Sequence, residues 1–431
     1  MPLYDQKQNR DRQRAGGWVA RPFDVPDGDA LSYRRLVQTA GVGFFPLSLL
    51  ARLPYAMSSL ATLILVQTVT GSYAFAGLAA AAQGLCGSAG APVVGALADR
   101  YGHRRIAAVS TLANIAALLF LIAASRAART ELLAAAALVG LTQPPVGVLV
   151  RVYWSRLAQV RALPSLLPSA MAYEAAADET SFVAGPTLVG LLAPIATSLG
   201  PIAPIAASIV LLCVAALPFA MLYTDRSPIE RSSHTEPQAR LPRRALVAMF
   251  FAMAAIGAVF GAVQTGVTAY AHSIGRPGAA GLIYAIFGAG SALAGAACAW
   301  LPRGFATRHR YPAFAAALVA GMLALYVGDR LHAVVPAVAM ASITVAPYMI
   351  TLYTLTERIA PPDRTASAMT ILCAGGPLGT AGGQALAGYL AQGGGSSGAF
   401  LLAPIAAAAA LLLALALTAA DQGRGTWLAT G

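Results

Sequence analysis

Gly95-Ala-Leu-Ala-Asp99-Arg100-Tyr-Gly102-His-Arg104-Arg105 is a tight charged turn set between two long apolar runs, 73–94 and 106–124. Its glycines, Gly95 and Gly102, let two helices and their connection approach closely. Asp99 can pair with an arginine or sit at a helix N-terminus, where negative charge is favoured. Arg104 and Arg105 hold such a loop on the cytoplasmic side of a membrane. A generic basic loop would account for the arginines but not for the spacing of the glycines and the aspartate.

Working outward, the composition agrees with a membrane chain. Of 431 residues, 58% are hydrophobic and 11% charged, where a soluble domain carries about 25% charged residues. Apolar runs of about 20 residues recur to the C-terminus, each long enough for a hydrocarbon core about 30 Å thick. They are continuous rather than alternating, which predicts helices and not a barrel. The predicted spans are 42–67, 73–95, 106–124, 131–152, 166–194 and 200–223, then 245–271, 278–300, 311–328, 333–356, 366–391 and 399–420. This is an all-α membrane protein of twelve transmembrane helices. The polar linker 224–244 divides two six-helix halves, 41–223 and 245–420. Residues 1–40 lack an apolar signal core and read as a cytoplasmic tail, as do 421–431.

The net charge of +12 follows the same topology. Numbering the runs alternately puts 23 of the 29 Lys and Arg residues in segments on one side, with Arg52 and Arg151 inside spans. That asymmetry places both termini in the cytoplasm, and the basicity reports orientation and contact with anionic lipid, not nucleic acid. An internal repeat supports the division. Gly87-Ser88 precedes Arg100 as Gly290-Ser291 precedes Arg303, and Ser169-Ala-Met171 precedes Gly190 as Ser367-Ala-Met369 precedes Gly388. Blocks that recur about 200 residues apart indicate a duplicated half.

The charged turn resembles the signature loop between helices 2 and 3 of the major facilitator superfamily. The resemblance implies two pseudo-symmetric halves rocking around a midplane substrate site, with the Asp99–Arg100 loop stabilising one orientation. The matching loop of the second half, 300–310, keeps its basic cluster and loses the aspartate. Further on, Gly185-Pro186 followed by Gly190 partly resembles the antiporter signature of drug-exporting members. Pro186 also removes a backbone bond and bends its helix, while the glycines permit close packing.

Ionisable residues inside spans are costly, about 2.5–3.5 kcal/mol each at the bilayer centre, and there are few. Arg52 lies in the first span and Glu174, Asp178 and Glu179 in the fifth. At 1.5 Å per residue, Arg52 and Asp178 share a depth of roughly 15 Å from the cytoplasmic face. Glu174 and Asp178 lie on one helix face, and Glu179 points about 100° away. Three acids against one arginine form either a proton-coupling device or a fixed salt-bridge network. Tyr55, Gln83, Gln264, Tyr284, Tyr348 and Gln384 are candidate cavity residues in a mostly apolar, aromatic pocket suited to a hydrophobic or amphipathic small molecule.

Other chemistry finds no support. There is no Walker loop, no nucleophile elbow and no cofactor motif, so the chain is not read as an enzyme. The five histidines lack ligand spacing, and no metal site is expected. The four cysteines, all in apolar runs, read as small buried residues. The expectation is a proton-coupled exporter acting as a monomer, with an importer, a uniporter or a non-transporting membrane sensor as alternatives. High Ala, Gly and Arg with a single Lys suggests a GC-rich genome and a bacterial inner membrane.

Overall fold

The computed structural model describes residues 29–161, 163, 166–195, 200–224, 243–300, 307–361 and 365–422. Most of the expected linker, most of the N-terminal tail and all but the first residues of the C-terminal tail lie outside the described residues. The first half comprises α1 (Asp29–Ala40), α2 (Phe44–Thr70), α3 (Tyr73–Tyr101), α4 (His103–Ala124), α5 (Arg129–Leu141), α6 (Val146–Val160), α7 (Leu167–Ile195), α8 (Ala203–Leu211) and α9 (Leu217–Tyr223). The second comprises α10 (Arg243–Ser273), α11 (Ala279–Ala297), α12 (Thr307–Arg330), α13 (Val334–Ser342), α14 (Val345–Ile359) and α15 (Thr365–Gln422). Among the described residues, ten helical segments are long and apolar enough to cross a membrane. α7 is outside the ten; it has the length, 29 residues, but carries three acids.

Three sequence-based boundaries are corrected. The N-terminal segment expected to be tail through residue 40 ends in α1, which buries Leu36 completely before Gly41, at φ +85°, turns the chain into α2. The fourth span does not stop at 152. It breaks after Leu141, at Pro144 and Pro145, which lack an N–H, then resumes as α6 through Val160. The second half repeats this break between α13 and α14. The glycine-rich stretch 393–398, read from sequence as a flexible connection between the last two spans, is instead a one-residue bend: α15 leaves helical geometry only at Gly395 (φ 58°, ψ −145°), a left-handed position that glycine tolerates. Just beyond it, Ser396 donates to Asp329 at 2.8 Å and Ser397 to its other oxygen, tying the bend to the end of α12.

The halves meet through α3 against α15 and α7 against α11. A Cβ on Gly388 would lie 2.5 Å from the Tyr73 carbonyl oxygen, and one on Gly190 would lie 2.7 Å from the Leu282 nitrogen. Only glycine permits backbones this close. Both contacts sit toward the end of the bundle where α2 turns into α3. At the same end Ser72 donates to Gln392 Oε1 at 3.0 Å, and Tyr73 meets His272 edge-on at 6.2 Å. Toward the opposite end the packing thins: α3 passes from mostly buried residues over 76–83 to mostly exposed ones over 91–97. The halves therefore close at one end and part at the end where α3 turns into α4.

Candidate functional site

The parted end leads to a cluster of charges in the first half. α2 carries Arg52, α6 carries Arg151 and Trp154, and α7 carries Glu174 and Asp178. Arg52 is 4% exposed and Glu174 0%, and their side chains form an ion pair. Arg52 Nε lies 2.9 Å from Asp178 Oδ1, and Arg151 Nη2 donates to Asp178 Oδ2 at 2.6 Å. Trp154 Nε1 donates to the remaining Glu174 oxygen at 2.6 Å. Arg52 also donates to the Ser48 carbonyl, and Arg151 to that of Gly147. Two guanidinium groups thus face two carboxylates, and nearly every oxygen has a donor. Such satisfaction is what allows charges to persist in low dielectric.

Arg151 and Trp154 were not anticipated from sequence, because ending the fourth span at residue 152 put both at or beyond the membrane boundary. Continuing the helix from Val146 turns them inward. Three acids are therefore balanced by two arginines rather than one. The acid left over is Glu179. It is exposed on α7 and makes no ion pair among the described residues, in keeping with its rotation away from Glu174 and Asp178. It lies close enough to Tyr353 of the second half for the charge to act on the phenol, and Arg151 stands in the same relation to Cys373. Nearby, mid-span Tyr55 and Phe182, each 50% exposed, meet edge-on with centroids 6.1 Å apart. Glu179 thus stands near an aromatic ring of the second half, and one turn further along α7 Phe182 adds a second exposed ring with Tyr55 against it.

The other cavity candidates divide. Gln264 and Gln384 hydrogen-bond each other across the second half, and Ser59 of the first half joins them, accepting from Gln384 at 2.6 Å and donating to Gln264 at 3.2 Å. All three belong to the closed end. Gln83 is buried and donates to Ser58. Tyr348 is wholly buried and stacks on Tyr311 at 6.0 Å inside the second half; its phenol faces core, because α14 packs that side against α12. Tyr284 stacks on Phe287 at 5.9 Å. None of the last three lines the parted end.

The charged turn is mostly helix. α3 continues through Gly95, Asp99 and Arg100 to Tyr101, and only Gly102 (φ 93°, ψ 137°) breaks before α4. Arg100 lies over the Tyr101 ring at 5.3 Å, Arg105 is exposed, and Arg104 is half-buried. A Cβ at Gly95 would meet nothing within 4 Å, so the close approach expected there is not made in this conformation. The Asp99 side chain lies outside the described residues. In α7, Gly185 packs on Ala56 and Met57 of α2, while the Pro186 carbonyl and Gly190 pack on Gly281 of α11, so this motif sits at helix contacts within and between the halves. The cysteines are not buried: Cys213 and Cys373 are exposed, and Cys86 and Cys298 half-buried.

Solved structures share this fold. The nucleoside transporter NupG superposes with a TM-score of 0.67 at 13% identity, covering 87% of this chain and 97% of its own. A bacterial homologue of the iron transporter ferroportin, in an inward-facing state, gives 0.64 at 12%, covering 88% and 98%. The human organic anion transporter MFSD10 (TETRAN) gives 0.57 at 15%, covering 88% and 99%. Among curated proteins no sequence matches. Residues 44–329 match the family profile described as Major Facilitator Superfamily, and with the paired helical halves closing at one end this chain belongs to that family of multi-pass membrane transporters.

Proposed function

We propose that the chain is a proton-coupled secondary transporter that exports a hydrophobic or amphipathic small molecule, such as a drug or secondary metabolite, from a bacterial cell across the inner membrane. On this reading α7 is the fifth of twelve spans, α15 supplies the last two, and both termini are cytoplasmic. The parted end then faces the cytoplasm. The observation that carries the reading is Glu179: a mid-membrane carboxylate, exposed and unpaired among the described residues, beside a cluster whose own charges are already matched.

Magnitudes separate the roles. Breaking a buried ion pair by removing one partner costs about 3–5 kcal/mol, too much for an exchange repeated each cycle. The cluster of Arg52, Arg151, Glu174 and Asp178 therefore serves as a fixed scaffold and field, and Glu179 exchanges its proton. A substrate drives the rocking motion only through unequal affinity for the two orientations, and a carboxylate that binds either a proton or the substrate supplies that inequality. The rings of Tyr55, Phe182 and Tyr353 favour an amphipathic substrate over a sugar, and the partial antiporter signature at Gly185-Pro186 favours export.

The second reading is import of a small metabolite, with a nucleoside as the candidate because the fold is shared with the nucleoside transporter NupG. The test is reconstitution into vesicles of known orientation with an imposed pH gradient, followed by a panel of lipophilic compounds and nucleosides. Gradient-driven movement of a lipophilic compound out of the cytoplasmic side supports the proposal. Movement inward of a nucleoside, or transport indifferent to the gradient, overturns it.

A further inference from the structure

At the closed end, a side chain of the second half completes the first turn of a helix in the other. Gln384, Gly388 and Gln392 share one face of α15 at four-residue spacing, and all three meet the first turns of α3. A Cβ on Gly77 would run into the Gln384 carbonyl, and one on Gly388 would lie 2.5 Å from that of Tyr73. Gln392 makes hydrogen bonds instead. Its Oε1 accepts from the Ser72 hydroxyl at 3.0 Å and from the Ala74 N–H at 3.3 Å. A backbone N–H only donates, so the atom facing Ala74 is the amide oxygen.

The first N–H groups of a helix have no partner inside it. Ser72 is the N-cap of α3, and its own oxygen accepts from the Phe75 N–H at 3.2 Å. For Ala74 the acceptor comes from the other half. Gln392 is held within reach from behind. The bend at Gly395 follows it within one turn, and beyond the bend Ser396 and Ser397 donate to Asp329 of α12, which is 8% exposed. Asp329 thus fixes the bend, and the bend fixes the turn on which Gln392 stands.

The glycine contacts set how near the two backbones come. The Gln392 bonds differ in that they join donors of one half to an acceptor of the other, so they exist only while this end is shut. A contact made in one orientation and lost in the other shifts the balance between the two. We propose that Gln392, positioned by Asp329, is an inter-half cap on α3 that sets how much of the time this end stays closed. The role asks nothing of the substrate, of Glu179 or of the direction of transport.

The test uses the full chain in lipid nanodiscs, without substrate or pH gradient, its native cysteines replaced by alanine. Spin labels at Ala127 and Arg276, in connections at this end, report the open and closed populations. Gln392→Leu keeps the size and cannot accept. It is expected to raise the ratio of open to closed roughly three- to eightfold, the range for one to two hydrogen bonds between membrane helices. Gln392→Glu accepts from the same donors and adds negative charge at the positive end of α3. The neighbouring charged and titratable groups favour it too: Arg129 of α5 lies over the Phe75 ring, and His272 of α10 meets Tyr73 edge-on. At neutral pH this variant is expected to lower the ratio. Asp329→Ala is expected to act as Gln392→Leu does, and the two combined to do no more than either alone, because both work through one contact. An unchanged ratio in Gln392→Leu overturns the proposal. So do shifts in the same direction for Leu and Glu, which would mean that only side-chain shape matters, and full additivity with Asp329→Ala, which would make Asp329 a separate structural tie.

Discussion

The guanidinium of Arg151 lies 2.6 Å from Oδ2 of Asp178, whose other oxygen lies 2.9 Å from Nε of Arg52. One carboxylate therefore holds two arginines from two different helices, and a second, Glu174, closes the set with Arg52 and Trp154. The group is neutral as a whole and nearly saturated with hydrogen bonds. It is built to stay formed, which makes its members poor candidates for the moving part and good candidates for what holds α2, α6 and α7 in register.

Glu174→Gln leaves the Arg52 charge buried with one partner weakened, and destabilisation of about 3–5 kcal/mol is expected for loss of a buried ionic partner. Thermal unfolding in detergent checks this. The double substitution Arg52→Leu with Glu174→Leu removes both charges and is expected to recover much of the loss, since an apolar pair of similar size is often neutral. A double variant no more stable than the single one would mean that the pair does not act as a unit.

Glu179→Gln is expected to behave oppositely. The residue is exposed and has no ion pair among the described residues, so the melting temperature should shift little. Transport driven by a pH gradient should fall at least tenfold, while exchange of labelled for unlabelled substrate without a gradient persists. Proton release on substrate binding, followed with a pH dye, should disappear in this variant and survive in Asp178→Asn. Unchanged release in Glu179→Gln would remove it from the coupling role.

Most of the helical layout is legible in apolar run length alone, because a span has one strong requirement and the sequence meets it repeatedly. The charged residues that matter were equally visible as residue types, since an acid or arginine in such a run stands out. What escaped was continuation. Arg151 looked like the end of a span because it begins a basic series with Arg156 and Arg161, and only the break at Pro144-Pro145 shows that the helix restarts and carries Arg151 inward. Gln264 and Gln384 were visible as polar residues in spans, but their bonding to each other and to Ser59 was not. Their pairing depends on which faces of three distant helices meet, and hydrophobic periodicity is weak where every face is apolar.

That trio yields a third prediction. Hydrogen bonds between membrane helices average about 0.6 kcal/mol, so the bonds from Ser59 to Gln264 and Gln384 form a latch light enough to release in each cycle. Gln384→Leu should open the closed end more often without unfolding the chain. Spin labels at Ala127 and Arg276, in connections at that end, are expected to show a larger population at long distance than in the unsubstituted protein. An unchanged distance distribution would mean that this trio is not what keeps the end shut.

Packing is tested at Gly281, where a Cβ would run into the Pro186 carbonyl and lie 2.6 Å from the Gly190 Cα. Backbone atoms cannot yield as a flexible side chain can, so Gly281→Val must push α7 and α11 apart. If the halves rock about the midplane, separating them here draws them together at the parted end. Cys373, exposed beside Tyr353, reports on that change. In a chain with Cys86, Cys213 and Cys298 replaced by alanine, a water-soluble thiol reagent should label Cys373 several-fold more slowly once Gly281→Val is introduced. Gly382→Ala is the control, since nothing lies within 4 Å of its added Cβ, and labelling should keep its original rate. Equal slowing by both substitutions would point to a general loss of order, and no slowing by Gly281→Val would show that the two ends of the bundle move independently.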